Sequence, residues 1–542
     1  MLILVMLLAL LVYGMVIYDI KEIMNELINL YNQKDFDKLI NVGNNYIKNN
    51  ILYDVIYNIM GVAYHNLNKY DPAIECFKKA INLNPSFAEA YNNIGYPLRL
   101  KGNIDLAIKN HRKAITLREN FVEAKINLGF CLSQKKEFDL AIEVFEQVLK
   151  INPQSKDIYF NIGSVLIEKG NYTRALKIFK KLEKNNPDDF SILNNLGNIF
   201  KFQDKIDNAL THYKKAIELN KNDTESLWNY SYCSLYKYDF KNGWLNYHLR
   251  WQMNNIQAPH LKYNKPIWDG VSDGIILVYL EQGLGDQILF SRCLRYFETK
   301  KNKVFFLVQN KLLKLFSLSF PKIKFIDKIT NLNFDYLIAV ADMPKFCIKN
   351  IANLQSFSIP YLKVDSNFSK SIKLRISKEK TICGLSWISK SESNGKNKSI
   401  NLELLKTIIL IPNIVFVDLQ YTDTSEERRV FFEKYGIKIL KLNNIDNFNN
   451  ITKLCSLIEA CDFVITISNS TAHLSGALGK NTFLMLPKGK GKFWYWSTVN
   501  NTCYWYPSIK IIEQNEIGIW DNVIKELTCK VEIELTNSGS NH

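Results

Sequence analysis

The sequence predicts an α-solenoid followed by an α/β region of two doubly wound domains with parallel sheets. Three observations predict it. Small residues recur every 34 positions through the N-terminal half, at Gly61, Gly95, Gly129, Gly163 and Gly197 and again at Ala73, Ala107, Ala141, Ala175 and Ala209. From Pro266 that period stops, and apolar strand-like runs alternate with helical segments. Beyond a polar stretch the alternation restarts, so the second half reads as two domains. A chain of 542 residues with 47% hydrophobic content holds enough apolar material for two or three cores.

Residues 1–18, "MLILVMLLALLVYGMVIY", are apolar throughout. This is about the minimum length of a membrane helix, and it lacks the basic start and small-residue cleavage site of a secretory signal. Three readings stand: a membrane anchor, a buried helix, or an extension upstream of a start at Met15.

Residues 19–221 carry the period. In "AEAYNNIGYPLRLKGNIDLAIKNHRKAITLRE" two stretches with helical apolar spacing are broken by "KGN". Glycine on the first helix and alanine on the second let the two pack closely, and Pro85, Pro153 and Pro187 keep the same phase. A sustained period of this kind means an array of stacked units. The pattern resembles the tetratricopeptide repeat, with five clear units from Ile51 to Lys221 and a degenerate one from about Asp19. Such an array implies a protein partner on its concave face. Residues 222–265, with Trp228, Trp244 and Trp251, read as an aromatic cap that seals the open end.

In residues 266–368 the strands are "GIILVYL", "KVFFLVQ" and "FDYLIAV", alternating with "DQILFSRCLRYF" and "KLLKLFSL". The polar stretch "KVDSNFSKSIKLRISKEK" reads as a linker. In residues 378–530 the strands are "TICGLSWI", "IVFVDLQ", "IKILKL", "DFVITI" and "TFLML", with helices such as "SEERRVFFEKYG" and "ITKLCSLIEAC"; residues 531–542 form a tail. Alternation of strand and helix implies parallel sheets, whose carboxyl ends face a cleft.

The formal charge is +16, but it comes from scattered lysines with no basic block, which argues for general anion affinity and against nucleic acid. The 10 cysteines stand singly with no CxxC pair, as free thiols in a reducing compartment would. The expected location is the cytoplasm, or the inner-membrane surface if residues 1–18 are an anchor.

Four stretches carry candidate chemistry. In "YLEQGLGDQILFSR", Gly283 and Gly285 let the backbone pass close to a ligand, and Asp286 sits at the helix start, where an N-cap role is the plainer reading. In "GLSWISKSESNGKNKSI" a strand ends at Trp387 and opens into a loop with Lys396, Lys398 and Ser399 suited to phosphate. In "ISNSTAHLSGALG", Ser468, Asn469, Ser470 and Thr471 lead into a helix of small residues, an arrangement in which hydroxyls and backbone N–H groups bind anions, with His473 facing the same mouth. In "LPKGKGKFWYW", Lys488, Lys490 and Lys492 stand beside aromatics that serve a ligand or an interface core.

The ordered set "EQGLGD", "GLSW" with "KSI", "SNSTAHLSGALGK" and "WYPS", behind tetratricopeptide repeats, resembles bacterial glycosyltransferases of the heptosyltransferase-like family nine, over roughly Pro266 to Leu527. The resemblance implies a GT-B arrangement of two Rossmann-like domains, a nucleotide-sugar donor on the second, a glycan, glycolipid or protein acceptor on the first, and inversion at the anomeric carbon. It further implies Asp286 as general base, Lys398 as a phosphate contact, Ser470, Thr471 and His473 around the donor diphosphate, and Gln420 and Glu426 toward the nucleoside. One position departs: many members carry Asp five residues before the histidine, to hold donor sugar hydroxyls, where this chain has Ser468. The C-terminal half also lacks the DxD pair of metal-dependent transferases, so no metal and no other cofactor is expected, and leaving-group charge would fall to the helix start and lysines. Two other functions fit the same architecture: a protein O-linked N-acetylglucosamine-type transferase, and a non-catalytic repeat scaffold with a degenerate nucleotide-sugar-binding half.

Overall fold

The computed structural model describes residues 20–253, 264–281, 283–330, 332–357, 360–391, 394–500 and 502–539. Residues 1–18 therefore lie outside the described residues, and among those described no helix is long and apolar enough to cross a membrane. The chain divides into two compact units between Pro187 and Asp188.

The described part of the first unit holds ten α-helices, from Ile20–Asn32 to Tyr172–Asn185, stacked as antiparallel pairs such as Ala88–Leu100 with Ile104–Leu117. The turn inside each pair takes a left-handed residue at the same period: Lys34, Asn68, Gly102, Lys136 and Gly170. The periodic glycines do more than narrow the helix. A Cβ built on Gly61, Gly129 or Gly163 would lie 2.6 Å from the ring of Phe77, Phe145 or Phe179, so each glycine is the floor on which an aromatic ring of the second helix sits. His111 takes that place opposite Gly95. The alanines of the period are fully buried beside them. Outside, ion pairs recur between neighbouring pairs of helices: Lys101 with Asp71, Lys135 with Asp105, and Lys169 with Asp139.

The second unit opens with one more repeat, helices Phe190–Phe202 and Ile206–Leu219, joined at left-handed Asp204. A further pair, Thr224–Tyr236 and Phe240–Leu245, turns at left-handed Tyr238 in the same phase. The sequence hides this pair because Ser231 and Gly243 stand where the period expects glycine and alanine. Its aromatics do not seal a free solenoid end as the sequence led us to expect. They form a common core with the α/β part: Trp244 packs on Trp494 at 5.7 Å and donates to the Ile348 carbonyl at 2.9 Å, and the Tyr238 hydroxyl donates to the Ser497 carbonyl at 2.7 Å.

Two parallel sheets follow. The first contains β1 (Ile275–Tyr279), β2 (Lys303–Leu307), β3 (Lys324–Ile326) and β4 (Tyr336–Ala339) in the order β3-β2-β1-β4. The second contains β5 (Thr381–Ser386), β6 (Ile414–Asp418), β7 (Phe463–Ile467), β8 (Thr482–Leu486) and β9 (Ile509–Glu513) in the order β6-β5-β7-β8-β9. Every pairing is parallel, as alternation with helices demands. Two expectations are corrected. "IKILKL" makes only an isolated bridge, Leu440 to Val417, because Lys441 turns inward to Asp418 and ends the run. The polar stretch read as a linker contains the helix Ser366–Ile376, started by Asp365, whose carboxylate accepts from the Asn367 and Phe368 amides, and anchored by buried Ile372.

Candidate functional site

The residues that follow the C-terminal ends of β1, β2, β5, β6, β7 and β8 surround a cavity of about 470 Å³. Parallel strands that all end toward one side leave their loops there, which is why ligands of doubly wound sheets bind at that edge.

After β1 the chain turns at Gly283 into the helix Leu284–Ser291 and places Asp286 in its first turn, on the cavity wall. Burial pushes the Asp286 carboxyl up to about 6, against the opposing pull of Lys398, the amides of Gly283 and Asp286, and the Tyr495 hydroxyl. Lys398, on the short helix Gly395–Lys398 after β5, is 5% exposed, and its Nζ stands 5.0 Å from the centre of the Phe493 ring. Burial lowers its ammonium to about 8, with Asp286 holding it up. A carboxylate and a lysine thus titrate toward each other around neutrality on one cavity surface.

His473 reaches the cavity from the helix Ser470–Leu478 after β7. Its ring is enclosed by Tyr495, Trp496 and Tyr506, and Nδ1 shares a 3.1 Å hydrogen bond with the Tyr506 hydroxyl. Burial first, then the cations Arg292 and Lys398, lower its pKa to about 3, so it is neutral at physiological pH. A Cβ on Gly285 would lie 2.6 Å from His473 Cδ2. The close approach expected of this glycine is therefore to the histidine, with no ligand needed to explain it. The same holds for the small residues after His473, since a Cβ on Gly476 would meet Tyr506 at 2.4 Å.

The structure brings Gly283, Gly285, Asp286, Lys398, Ser468, Asn469, Ser470 and His473 to the cavity. The anion site read from the helix start is partly self-satisfied: the Asn469 side chain caps it by accepting from the Thr471 and Ala472 amides. The Ser468 hydroxyl accepts from the Trp496 indole at 2.9 Å.

The other candidates lie elsewhere. Thr471 is buried, its hydroxyl 3.4 Å from Ser386 Oγ. Gln420 is fully buried, accepting from the Ser386 hydroxyl and donating to the Ile388 carbonyl at 3.3 Å. Trp387 points into the core and donates to Glu427 at 2.9 Å, because neighbouring strand residues face opposite ways. Ser399 holds its own loop by accepting from the Ser389 amide at 2.9 Å. Glu426 is exposed and paired with Arg429. Lys488 donates outward to the Asn515 carbonyl at 2.7 Å, and Lys490 stands 6.0 Å from the Phe202 ring.

The aromatics of "LPKGKGKFWYW" divide, with Phe493 and Tyr495 at the cavity, while sequence reasoning missed Lys311, Tyr421, Asn447 and Phe448, also at the cavity. Lys311 follows β2 and lies 5.2 Å from the Phe448 ring, and Asn447 is fixed by donating to the Asp418 and Gln420 carbonyls. Only the position of Lys311 one residue into the helix after a strand gave any signal. Among the described residues no group of three or more His, Cys, Asp or Glu side chains is placed to hold a metal ion.

By sequence, the family TPR repeat matches residues 61–98, and the family Tetratricopeptide repeat matches residues 88–121, 134–196 and 190–223. The N-terminal region is therefore an array of tetratricopeptide repeats. The chain is similar to Protein FlbA of Caulobacter vibrioides, 26% identical over 305 residues that cover 52% of this chain and 50% of the relative. It thus spans about half the length of the curated relative it matches. Among solved structures it is similar to YrrB, a TPR protein with an unusual peptide-binding site, at 21% identity over 34% of this chain and 95% of that one, TM-score 0.30. It is also similar to a tetratricopeptide repeat protein from Parabacteroides merdae, at 15% identity over 45% of this chain and 94% of that one, TM-score 0.39.

Proposed function

We propose that the α/β part is a GT-B glycosyltransferase that moves a sugar from a nucleotide-diphosphate donor to an acceptor hydroxyl with inversion, the acceptor being selected by the repeat array. One observation carries this reading: Asp286, its carboxyl held near neutrality, shares a cavity with buried Lys398 at the carboxyl ends of two parallel sheets. Ionised above about pH 6, Asp286 takes the proton of the acceptor hydroxyl. The hydroxyl oxygen then bonds to the anomeric carbon as the bond from that carbon to the diphosphate oxygen breaks on the opposite face. The diphosphate leaves with the electron pair, and Lys398, Lys311 and Lys390 supply the positive charge it needs. Neutral His473 adds a hydrogen-bonding ring without adding charge.

A second reading is favoured by Ser468. Its hydroxyl is engaged by Trp496 where a sugar-holding carboxylate would be expected, which fits a scaffold whose second half binds nucleotide without turning it over. Thermal unfolding with a panel of nucleotide diphosphates and nucleotide sugars, followed by a sugar-transfer assay on the ligand that binds, separates the two. A ligand at a hundred times its Kd stabilises the folded state by about 2.7 kcal/mol. Transfer of sugar supports the enzyme; stabilisation without transfer supports the scaffold; no stabilisation by any member overturns both.

A further inference from the structure

We infer that the repeat formed by helices Phe190–Phe202 and Ile206–Leu219 is a positioning element of the cavity, acting through Asp204 at its turn; this rests on the cavity being the ligand site proposed above.

The argument starts from the loop after β8, Pro487 to Ser497. One side of this loop lies against the repeat. Gly489 is left-handed at φ +72°, and a Cβ there would come within 2.1 Å of the Phe202 carbonyl oxygen, so backbone meets backbone at a distance only glycine permits. Lys492, its side chain 11% exposed, bridges Asp204 at 3.1 Å and Glu513 of β9 at 2.9 Å. The Tyr236 hydroxyl donates to the Lys492 carbonyl at 2.8 Å. The repeat therefore grips this loop by backbone packing at Gly489 and the ion pair through Asp204, and the following helix Thr224–Tyr236 adds the hydrogen bond.

The next residues form the cavity wall. Phe493 stacks on Tyr495 at 5.3 Å with planes 8° apart, and both line the cavity. Phe493 carries the Lys398 ammonium over its ring, and the Tyr495 hydroxyl favours the ionised Asp286 carboxylate. A short chain of contacts, Asp204 to Lys492 to Phe493 and Tyr495, thus ends on the two groups with opposed titration. The turn position is also distinctive within the array: the equivalent left-handed residues are Lys34, Asn68, Gly102, Lys136 and Gly170, none of them a carboxylate. The compact unit that contains the cavity begins at Asp188, so this repeat belongs to it.

The test uses the full chain with Asp204→Asn, which keeps the shape and tolerates the left-handed turn, and Asp207→Asn as a control, since Asp207 pairs only with Lys237 on the exposed surface. Amide hydrogen exchange of residues 488–497 is followed without ligand, and inorganic pyrophosphate binding is followed by tryptophan fluorescence, with Trp494 and Trp496 as reporters. Asp204→Asn is expected to raise exchange in that segment several-fold and weaken pyrophosphate about fivefold, while Asp207→Asn changes neither. Unchanged exchange in Asp204→Asn, or an equal rise in Asp207→Asn, overturns the inference. Raised exchange in a protein that takes up no pyrophosphate even as wild type sustains the clamp and overturns the ligand reading of the cavity instead.

Discussion

Two histidines separate the repeat array from the α/β part more clearly than any other pair of residues. His111 and His473 are both buried, both lie against a glycine whose Cβ would collide with the ring, and both are held neutral by burial, with pKa values near 4 and 3. His111 shares a 3.1 Å hydrogen bond with Asn92 and fills the place that Phe77, Phe145 and Phe179 fill in other repeats. His473 lies on a cavity with Asp286 and Lys398. The same packing device therefore serves stability in one region and borders a candidate site in the other. A buried, pKa-depressed histidine does not by itself distinguish the two regions; the opposed carboxylate and lysine beside His473 do.

The largest effect that would break this contrast is at Asp286. Asp286→Asn is expected to lower turnover by about 10²–10⁴-fold, the range for loss of a general base, without loss of thermal stability, because it removes a charge that burial disfavours. In the wild type, activity should rise through about pH 6 as Asp286 ionises and fall through about pH 8 as Lys398 loses its proton. Turnover that survives Asp286→Asn with its acid limb intact would remove Asp286 from the mechanism. The next effect lies in the array. Gly129→Val drives a side chain toward the Phe145 ring, which a built Cβ already meets at 2.6 Å, and overpacking of that kind costs about 1–3 kcal/mol. Denaturant unfolding should register this loss while pyrophosphate affinity stays at the wild-type value; a matching loss of affinity would show that the two regions are not energetically separate.

What could be read from one sequence follows the same division. The array was legible because each unit solves one packing problem, so Gly61, Gly129 and Gly163 repeat the solution at a fixed interval. It became illegible where the solution changed, at Ser231 and Gly243, although left-handed Tyr238 keeps the backbone in phase. Most of the parallel strands were legible from apolar runs, but short β3 and partly exposed β9 were not. Asp286 and Lys398 were found because they stand in the first turn and the loop that come after β1 and β5. Phe448 was not, because only the folded chain brings it to the same cavity. Glu426 and Lys488 were misplaced for the converse reason: sequence puts them near the right loops but does not fix which side of a turn a side chain takes.

The smallest effects concern lysine ion pairs, where regularity in sequence and weight in energy part company. Lys169 pairs with Asp139 as one rung of a ladder that the period makes conspicuous, yet the two side chains are 36% and 81% exposed. Water competes for both charges and salt screens them, so Lys169→Met should cost only about 0.2–1 kcal/mol. Lys492 belongs to no repeat of the array, but its side chain is 11% exposed between Asp204 and Glu513, which are 24% and 30% exposed. Removing it leaves two carboxylates facing each other with little solvent, and Lys492→Met should cost on the order of 1–3 kcal/mol. Unfolding midpoints measured at low and high salt distinguish the cases, since the Lys169 contribution should vanish with added salt and most of the Lys492 contribution should remain. Equal losses at the two positions would mean that the junction between the repeat bearing Asp204 and the cavity loop is no more than another surface contact of the array.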